Sequence, residues 1–450
     1  MNSESFGRRR LLTGALVAAT VPLAVACSRD DASATQFQSP NVTDTPAARN
    51  VRDFGATGDG TTDDTDALAR AFEGVTQASA IYFPGGTYRV TAWPAMADYA
   101  TVYGDGADVT TILYEQNGTL IDLRGRQRVN FRRMGFFTTG ATSTCISLSA
   151  CFRCSFDAVT IRGNHSSSNF PQYAGQRGVV LTDNTGGTTF VNCDINNHGV
   201  GLTSECIQNY VTASKFTSNR VGVLGTGGDF NAGMAFTNVE FVSDNNPSTT
   251  DRHVIVDGPA NDWWFTNVWF EGSEVALTVG SRDTGGPSQF GMVNCKISAR
   301  TTCIELLYCR QPYLANIIFD PDPDSRPAEL VIDAEHCPTG TAVNLISGIN
   351  DDLNPALFPD AWTVIGRGTM SGPTFTSTVV TRTVQDDVDL LQARDSGDAV
   401  TAAVLSDGTW LSDRREAGVV LKDESNAYWR LVVGTDGALT TESLGTDRPR

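Results

Sequence analysis

The feature that most constrains this chain is an internal repeat. A large apolar residue, preceded three places earlier by asparagine or a substitute, returns at Phe136, Ile161, Ile195, Phe216, Phe241, Phe270, Ile297 and Phe319, in steps of 25, 34, 21, 25, 29, 27 and 22 residues. Five of the eight repeats hold the asparagine itself, at Asn192, Asn238, Asn267, Asn294 and Asn316. Between them runs a second set of short apolar segments, including GVVLT, GVGLT, VGVLG, HVIVD, VALTV and CIELL. Self-similarity at a period of roughly 20 to 50 residues marks a stacked architecture in which each unit buries its apolar face only against its neighbours. Helical patterning nearly vanishes after residue 76. The expectation is all-β: a single-stranded parallel β-helix, each short strand paired with its equivalent one coil away and edges left only at the two ends. Asparagines stacked at one corner would hydrogen-bond from coil to coil.

Ahead of the repeat, NVRDFGATGDGTTDDTDALARAFEG at 50–74 combines a short strand, a glycine-aspartate turn and a helix. Thr62, Asp63 or Asp64 is available as N-cap, and Ala67, Leu68, Ala71, Phe72 and Val75 make an apolar stripe at helical spacing. Together with IYFPGGTYRVT at 81–91 and VYGDGADVTTILYE at 102–115, this opening resembles the start of the pectate-lyase-3 type domain, also described as rhamnogalacturonase/epimerase-like. The resemblance implies a right-handed parallel β-helix whose open end is capped by the helix. It also implies structural roles for Asp59, Asp63 and Asp64, and carbohydrate chemistry spread over hydrolases, lyases and epimerases.

Residues 1–26 read as an export signal, because Arg8, Arg9 and Arg10 precede a mostly apolar run, 11–26, too short for a comfortable membrane span. The arginines resemble a twin-arginine signal. Two processing routes fit: a cut after Ala24-Val25-Ala26, giving a secreted protein, or a lipoprotein box with Cys27 as the lipidated residue and membrane anchor. Residues 27–48 read as a tether, 49–350 as the β-helix, 351–372 as a cap or linker and 373–450 as a small β-rich module with a turn at Gly434 to Gly437. The net charge is −18, or −20 without the +2 that Arg8, Arg9, Arg10 and Glu4 carry. That balance argues against a nucleic-acid partner, and it repels a polyanionic polysaccharide unless lysines or a cation offset it locally. Nine cysteines remain without Cys27; Cys303 with Cys309, and two of Cys145, Cys151 and Cys154, are plausible disulfides in an exported chain. No paired CxxC spacing offers a zinc site, so no metal is expected.

Strand alternation gives the candidate site. With Phe270 inward, Trp269 and Glu271 point outward; the same rule exposes Asp194, Lys215, Glu240, Lys296 and Asp320 on one face. Glu240 and Glu271 are the expected catalytic pair at a carboxyl separation near ~5 Å, with Asp194 as substitute partner at ~9 Å, so both retaining and inverting hydrolysis stay open. Trp269, Trp263 and Trp264 are expected to stack on sugar rings, with Lys215, Lys296 and His198 as further substrate contacts. His198, in NNHGVG, resembles the histidine turn of polygalacturonases, whose adjacent aspartate pair is missing here. The insertions 163–177 and 243–252 would wall the cleft. The leading expectation is an exported glycoside hydrolase needing no cofactor. The alternatives are a lyase with Lys215 or Lys296 as base, assisted by a divalent cation such as calcium at Asp194 and Glu240, and a non-catalytic glycan-binding or tailspike-like homotrimer.

Overall fold

The computed structural model describes residues 48–77, 79–226, 233–259, 262–320, 327–348, 351–353, 357–366, 370–371, 391–394, 399–407, 409–412 and 419–447. The export signal, Cys27 and nearly all of the tether lie outside them. The chain divides into two compact units, residues 1–372 and 373–450.

The first unit is a parallel β-helix with three strands to a coil. The first face stacks Thr189–Val191, Asn209–Thr212, Gly233–Thr237, Asp262–Thr266 and Gln289–Val293. The second stacks Asp194–Asn196, Lys215–Thr217, Glu240–Val242 and the beginnings of Trp269–Val279 and Lys296–Leu306. The third stacks Arg177–Thr182, Val200–Ser204, Val221–Gly225, Arg252–Val256 and the far ends of those last two strands. Alternation turns equivalent large residues inward, so they stack at the strand spacing. Phe131, Phe156 and Phe190 lie 5.2 and 4.8 Å apart, and Phe216, Phe241 and Phe270 lie 4.8 and 4.9 Å apart, all stacked with nearly parallel rings.

The repeated asparagine marks the corner between the first and second faces. Asn192, Asn238, Asn267, Asn294 and Asn316 have φ between 52° and 55°, and the substitutes Arg133, Ala158 and Ala213 take the same left-handed conformation at 49°, 54° and 48°. Asparagine is among the few side chains that enter this region at low cost. The coil-to-coil amide ladder also forms: Asn267 Nδ2 donates to Asn238 Oδ1 at 3.1 Å, Asn316 to Asn294 at 3.1 Å and Asn344 to Asn316 at 3.0 Å. Asn267→Val is expected to lower stability by about 1–2 kcal/mol, whereas Asn267→Gly, which keeps the conformation, costs less. Urea midpoints of the two variants check this, and equal midpoints would refute the conformational account.

At the start, the helix Thr65–Phe72 buries Ala67, Leu68, Ala71 and Phe72 on the first coils, with Phe72 edge-on to Trp93 at 5.6 Å. The neighbouring aspartates hold turns. Asp64 accepts the N–H groups of Thr57 and Gly58, Asp63 that of Thr65, and Asp59 those of Thr61 and Thr62, which hold the Asp59 carboxyl well below the ordinary range. After the last coils, Leu353, Phe358 and Trp362 are buried against the end of the core.

The expected disulfides do not form. All nine described cysteines are free and buried, including Cys151 and Cys154, whose thiols lie within hydrogen-bond reach of each other. Several thiols instead donate to carbonyls of the preceding coil, as Cys193 does to Phe156 and Cys337 to Leu306, and burial pushes Cys303 and Cys309 up to about 12. The second unit holds two three-stranded antiparallel sheets, Leu391–Arg394 with Val400–Val404 and Trp410–Ser412, and Val420–Lys422 with Tyr428–Val433 and Leu439–Gly445. The expected turn closes the last hairpin, Gly434 donating to Ala438 at 2.8 Å.

Candidate active site

Register fixes which outward side chains are neighbours on the second face. Thr160, Asp194, Lys215, Glu240, Trp269, Lys296 and Ile318 stand in one file, each the parallel partner of the next. Arg162, Asn196, Thr217, Val242 and Glu271 form the adjacent file. Glu240 therefore faces Trp269, not Glu271, which lies one coil and two residues away, on the order of ~8 Å between Cα atoms. The ~5 Å spacing expected for these two glutamates is corrected by this diagonal. Asp194 and Glu240 share a file two coils apart, roughly 9–10 Å, with Lys215 between them.

Charge along the file is ordered. Lys215 Nζ pairs with Glu240 Oε2 at 2.8 Å, and Lys296 Nζ pairs with Asp320 Oδ2 at 2.7 Å while lying 4.8 Å over the Trp269 ring. The Glu240 hydrogen bond and charge raise the Lys215 ammonium above its ordinary value. Asp194 is half-buried and accepts a hydrogen bond from the Thr217 hydroxyl at 3.3 Å. Burial pushes its carboxyl above the usual range, a shift that outweighs the opposing hydrogen bonds from Asn196 and Thr217 and the charge of Lys215. The Glu271 side chain is exposed, and its carbonyl accepts from His253 Nε2 at 2.8 Å.

Three expected contacts do not reach this face. Trp263 is fully buried because alternation turns it inward, where it stacks 6.2 Å from Phe236 and fills the space left by Gly225. Trp264 points outward, but on the first face. His198 is also fully buried: its backbone N–H donates to Asn219 Oδ1, its ring Nε2 lies 3.3 Å from the Ile161 carbonyl, and burial presses the ring down to about 3. The two insertions do reach each other. His165 Nε2 meets the Thr249 carbonyl at 2.8 Å, and Arg220 lies 4.7 Å over Phe170, forming a wall where the second face turns into the third.

The buried histidines carry a pH dependence. His253, like His198, is neutral in the fold and lowered by burial, to about 4, whereas an unfolded histidine titrates near ~6.5. The unfolded chain binds more protons between those values, so stability is full above ~6.5 and declines as pH falls toward 4. The urea midpoint is expected to be lower at pH 4.5 than at pH 7, and His253→Asn to narrow that difference; an unchanged difference would contradict the assignment.

A polar cluster on the third face was missed by following the asparagine repeat alone. Arg252 donates to the Thr278 hydroxyl at 3.0 Å and pairs with Asp251 at 2.8 Å, and Thr278 donates to Glu305 at 2.8 Å, while Arg220 lies 3.7 Å from Asp251. Alternation applied to VALTV and CIELL exposes Thr278 and Glu305 and would have found it. Its charges are mutually satisfied over four coils, which fits a strut. Among the described residues, no group of three or more His, Cys, Asp and Glu is arranged to hold a metal ion.

Residues 48–236 match the family described as rhamnogalacturonase A/epimerase, pectate lyase-like. Alginate lyase 7 of Azotobacter vinelandii is 46% identical over 55 residues, which is 12% of this chain and 6% of that protein. The chain thus spans only a small part of that relative's length. Among solved structures, the A-module of a mannuronan C-5 epimerase from A. vinelandii is 15% identical, with 70% of this chain and 94% of that one covered and a TM-score of 0.42. A family 28 exopolygalacturonase from Yersinia enterocolitica is 14% identical, with 68% and 67% covered and a TM-score of 0.40. Over residues 48–236 the chain is thus similar to the rhamnogalacturonase A/epimerase, pectate lyase-like family.

Proposed function

We propose that this protein is a glycoside hydrolase acting on a polysaccharide, with Asp194 as general acid, Glu240 as general base and Trp269 as a sugar platform. The observation that carries the reading is the Asp194 carboxyl, raised by burial and standing two coils in line from a glutamate ion-paired with Lys215. One proton-holding and one ionised carboxyl at a spacing of roughly 6.5–9.5 Å is what inverting hydrolysis requires. Asp194 protonates the glycosidic oxygen as the bond to the anomeric carbon breaks. Glu240 takes a proton from the water that attacks that carbon from the opposite side. Glu271 stands outside this pair and is positioned to contact a neighbouring sugar. Lys215 is a poor candidate for the base of a β-elimination, since its partner raises its affinity for its proton.

A lyase reading is favoured by the local likeness to alginate lyase 7. Incubating the protein with a panel of neutral and acidic polysaccharides, while following reducing ends and ultraviolet absorbance, separates the two. New reducing ends without absorbance are expected, whereas an unsaturated, absorbing product would replace the hydrolase reading with elimination. Glycan binding by a trimer with neither signal would replace both with a tailspike-like binder. Export through the signal at 1–26, with Cys27 lipidated, would bring the enzyme to extracellular substrate; loss of membrane association in Cys27→Ser tests the anchor.

A further inference from the structure

The first face carries a feature that the catalytic file does not use. Its outward positions on five consecutive coils include Tyr210, Ala235, Trp264, Gly291 and Tyr313 in one file, each the parallel partner of the next. The three rings are 41%, 37% and 39% exposed, a large fraction for aromatics in the middle of a paired sheet. The small residues between them shape the surface. A Cβ on Gly291 would fall 2.1 Å from the Trp264 ring, so the absent side chain is what lets the indole lie down across that coil, with its centroid 6.5 Å from Tyr313. In the next file Thr212, Thr237 and Thr266 stand in register. No charged residue occupies either file from Tyr210 to Tyr313, in a chain of net charge −18.

We infer that this strip is a second polysaccharide-binding site, taking a neutral, extended sugar chain laid along the solenoid axis. Apolar ring faces bind sugar faces, and hydroxyls spaced by one coil meet sugar hydroxyls along an edge. The lining holds no cation, and Asp262 in the flanking file adds negative charge, so a polyuronate is excluded as the preferred ligand because the protein would repel it. The strip also lies one asparagine corner from the Asp194 file on the same coils: Tyr210 shares a coil with Lys215, and Trp264 with Trp269. A long chain held there keeps neighbouring segments beside the catalytic face. The inference rests on the polysaccharide reading but not on hydrolysis.

The test is calorimetric titration of cellohexaose, a neutral extended chain, into the full-length protein, with polygalacturonate oligomers as the charged control. Trp264→Ala is expected to weaken cellohexaose binding about tenfold or more, and Gly291→Ala, which lifts the indole, to weaken it in the same direction. Asp194→Asn, on the other face, is expected to leave binding unchanged. Absence of binding by the native chain, equal binding by native protein and Trp264→Ala, or a preference for polygalacturonate would each overturn the inference. Binding lost in Trp264→Ala by a protein that cleaves nothing would uphold the strip and sink the hydrolase reading instead.

Discussion

Asp194→Asn is expected to lower kcat on the true substrate by roughly a hundredfold to ten-thousandfold, with KM little changed, because a general acid acts in the transition state and not in ground-state binding. The loss should depend on the leaving group. A glycoside that leaves as a stable nitrophenolate needs little protonation, so Asp194→Asn should retain most of its turnover on it, whereas Glu240→Gln should be impaired on both substrates. The pH profile supplies a second readout. A carboxyl raised by burial must hold its proton to work, so native activity falls on the alkaline side as Asp194 ionises, and that limb should vanish in the asparagine variant. Native turnover in both variants would end the assignment of this pair.

The second large effect concerns the core. Phe241 is fully buried between Phe216 and Phe270, and it also lies 5.9 Å from Phe236 and 5.8 Å from His253. Phe241→Ala opens a cavity at the contact between two coils and is expected to cost about 3–5 kcal/mol. Coils touch only their neighbours, so the weakened junction should also broaden the transition or divide it, as the segments on either side unfold apart. Val242→Ala, one residue on and outward, is the control, with an effect within about 0.5 kcal/mol. Urea unfolding followed by circular dichroism reads both quantities, and a matching midpoint for the two variants would show that the phenylalanine stack is not what joins the coils.

The architecture was legible because a solenoid repeats its physics. The spacing of Asn238, Asn267 and Asn294 to Phe241, Phe270 and Ile297 marks one corner and one inward position per coil, and the rest follows from alternation. What alternation fixes is the side on which a residue lies, not its partner in the next coil. Alternation therefore puts Trp269 and Glu271 outside, as the structure has them, but it does not show that the place opposite Glu240 belongs to Trp269 and not to Glu271. Trp263 was misplaced for a simpler reason: two adjacent tryptophans must face opposite ways in a strand, and only Trp264 is outside. His198 follows its strand at a corner, where alternation no longer applies, and small neighbours such as Gly178 leave the room that its ring fills. The raised Asp194 carboxyl depends on burial and on Thr217 from the next coil, so no local pattern announces it.

The coils differ in length, from 21 residues between Ile195 and Phe216 to 34 between Ile161 and Ile195, yet each advances the solenoid by one strand spacing. The rise is set by backbone pairing and is indifferent to how much chain loops out at a corner. Metrology and decoration are thereby separated. The distance from Asp194 to Glu240 behaves as a ruler graduated in coils, while segments such as 163–176 and 243–251 can be lengthened, trimmed or exchanged without moving a mark on it. Descendants of such a chain can change their corner loops while Asp194 and Glu240 stay in place.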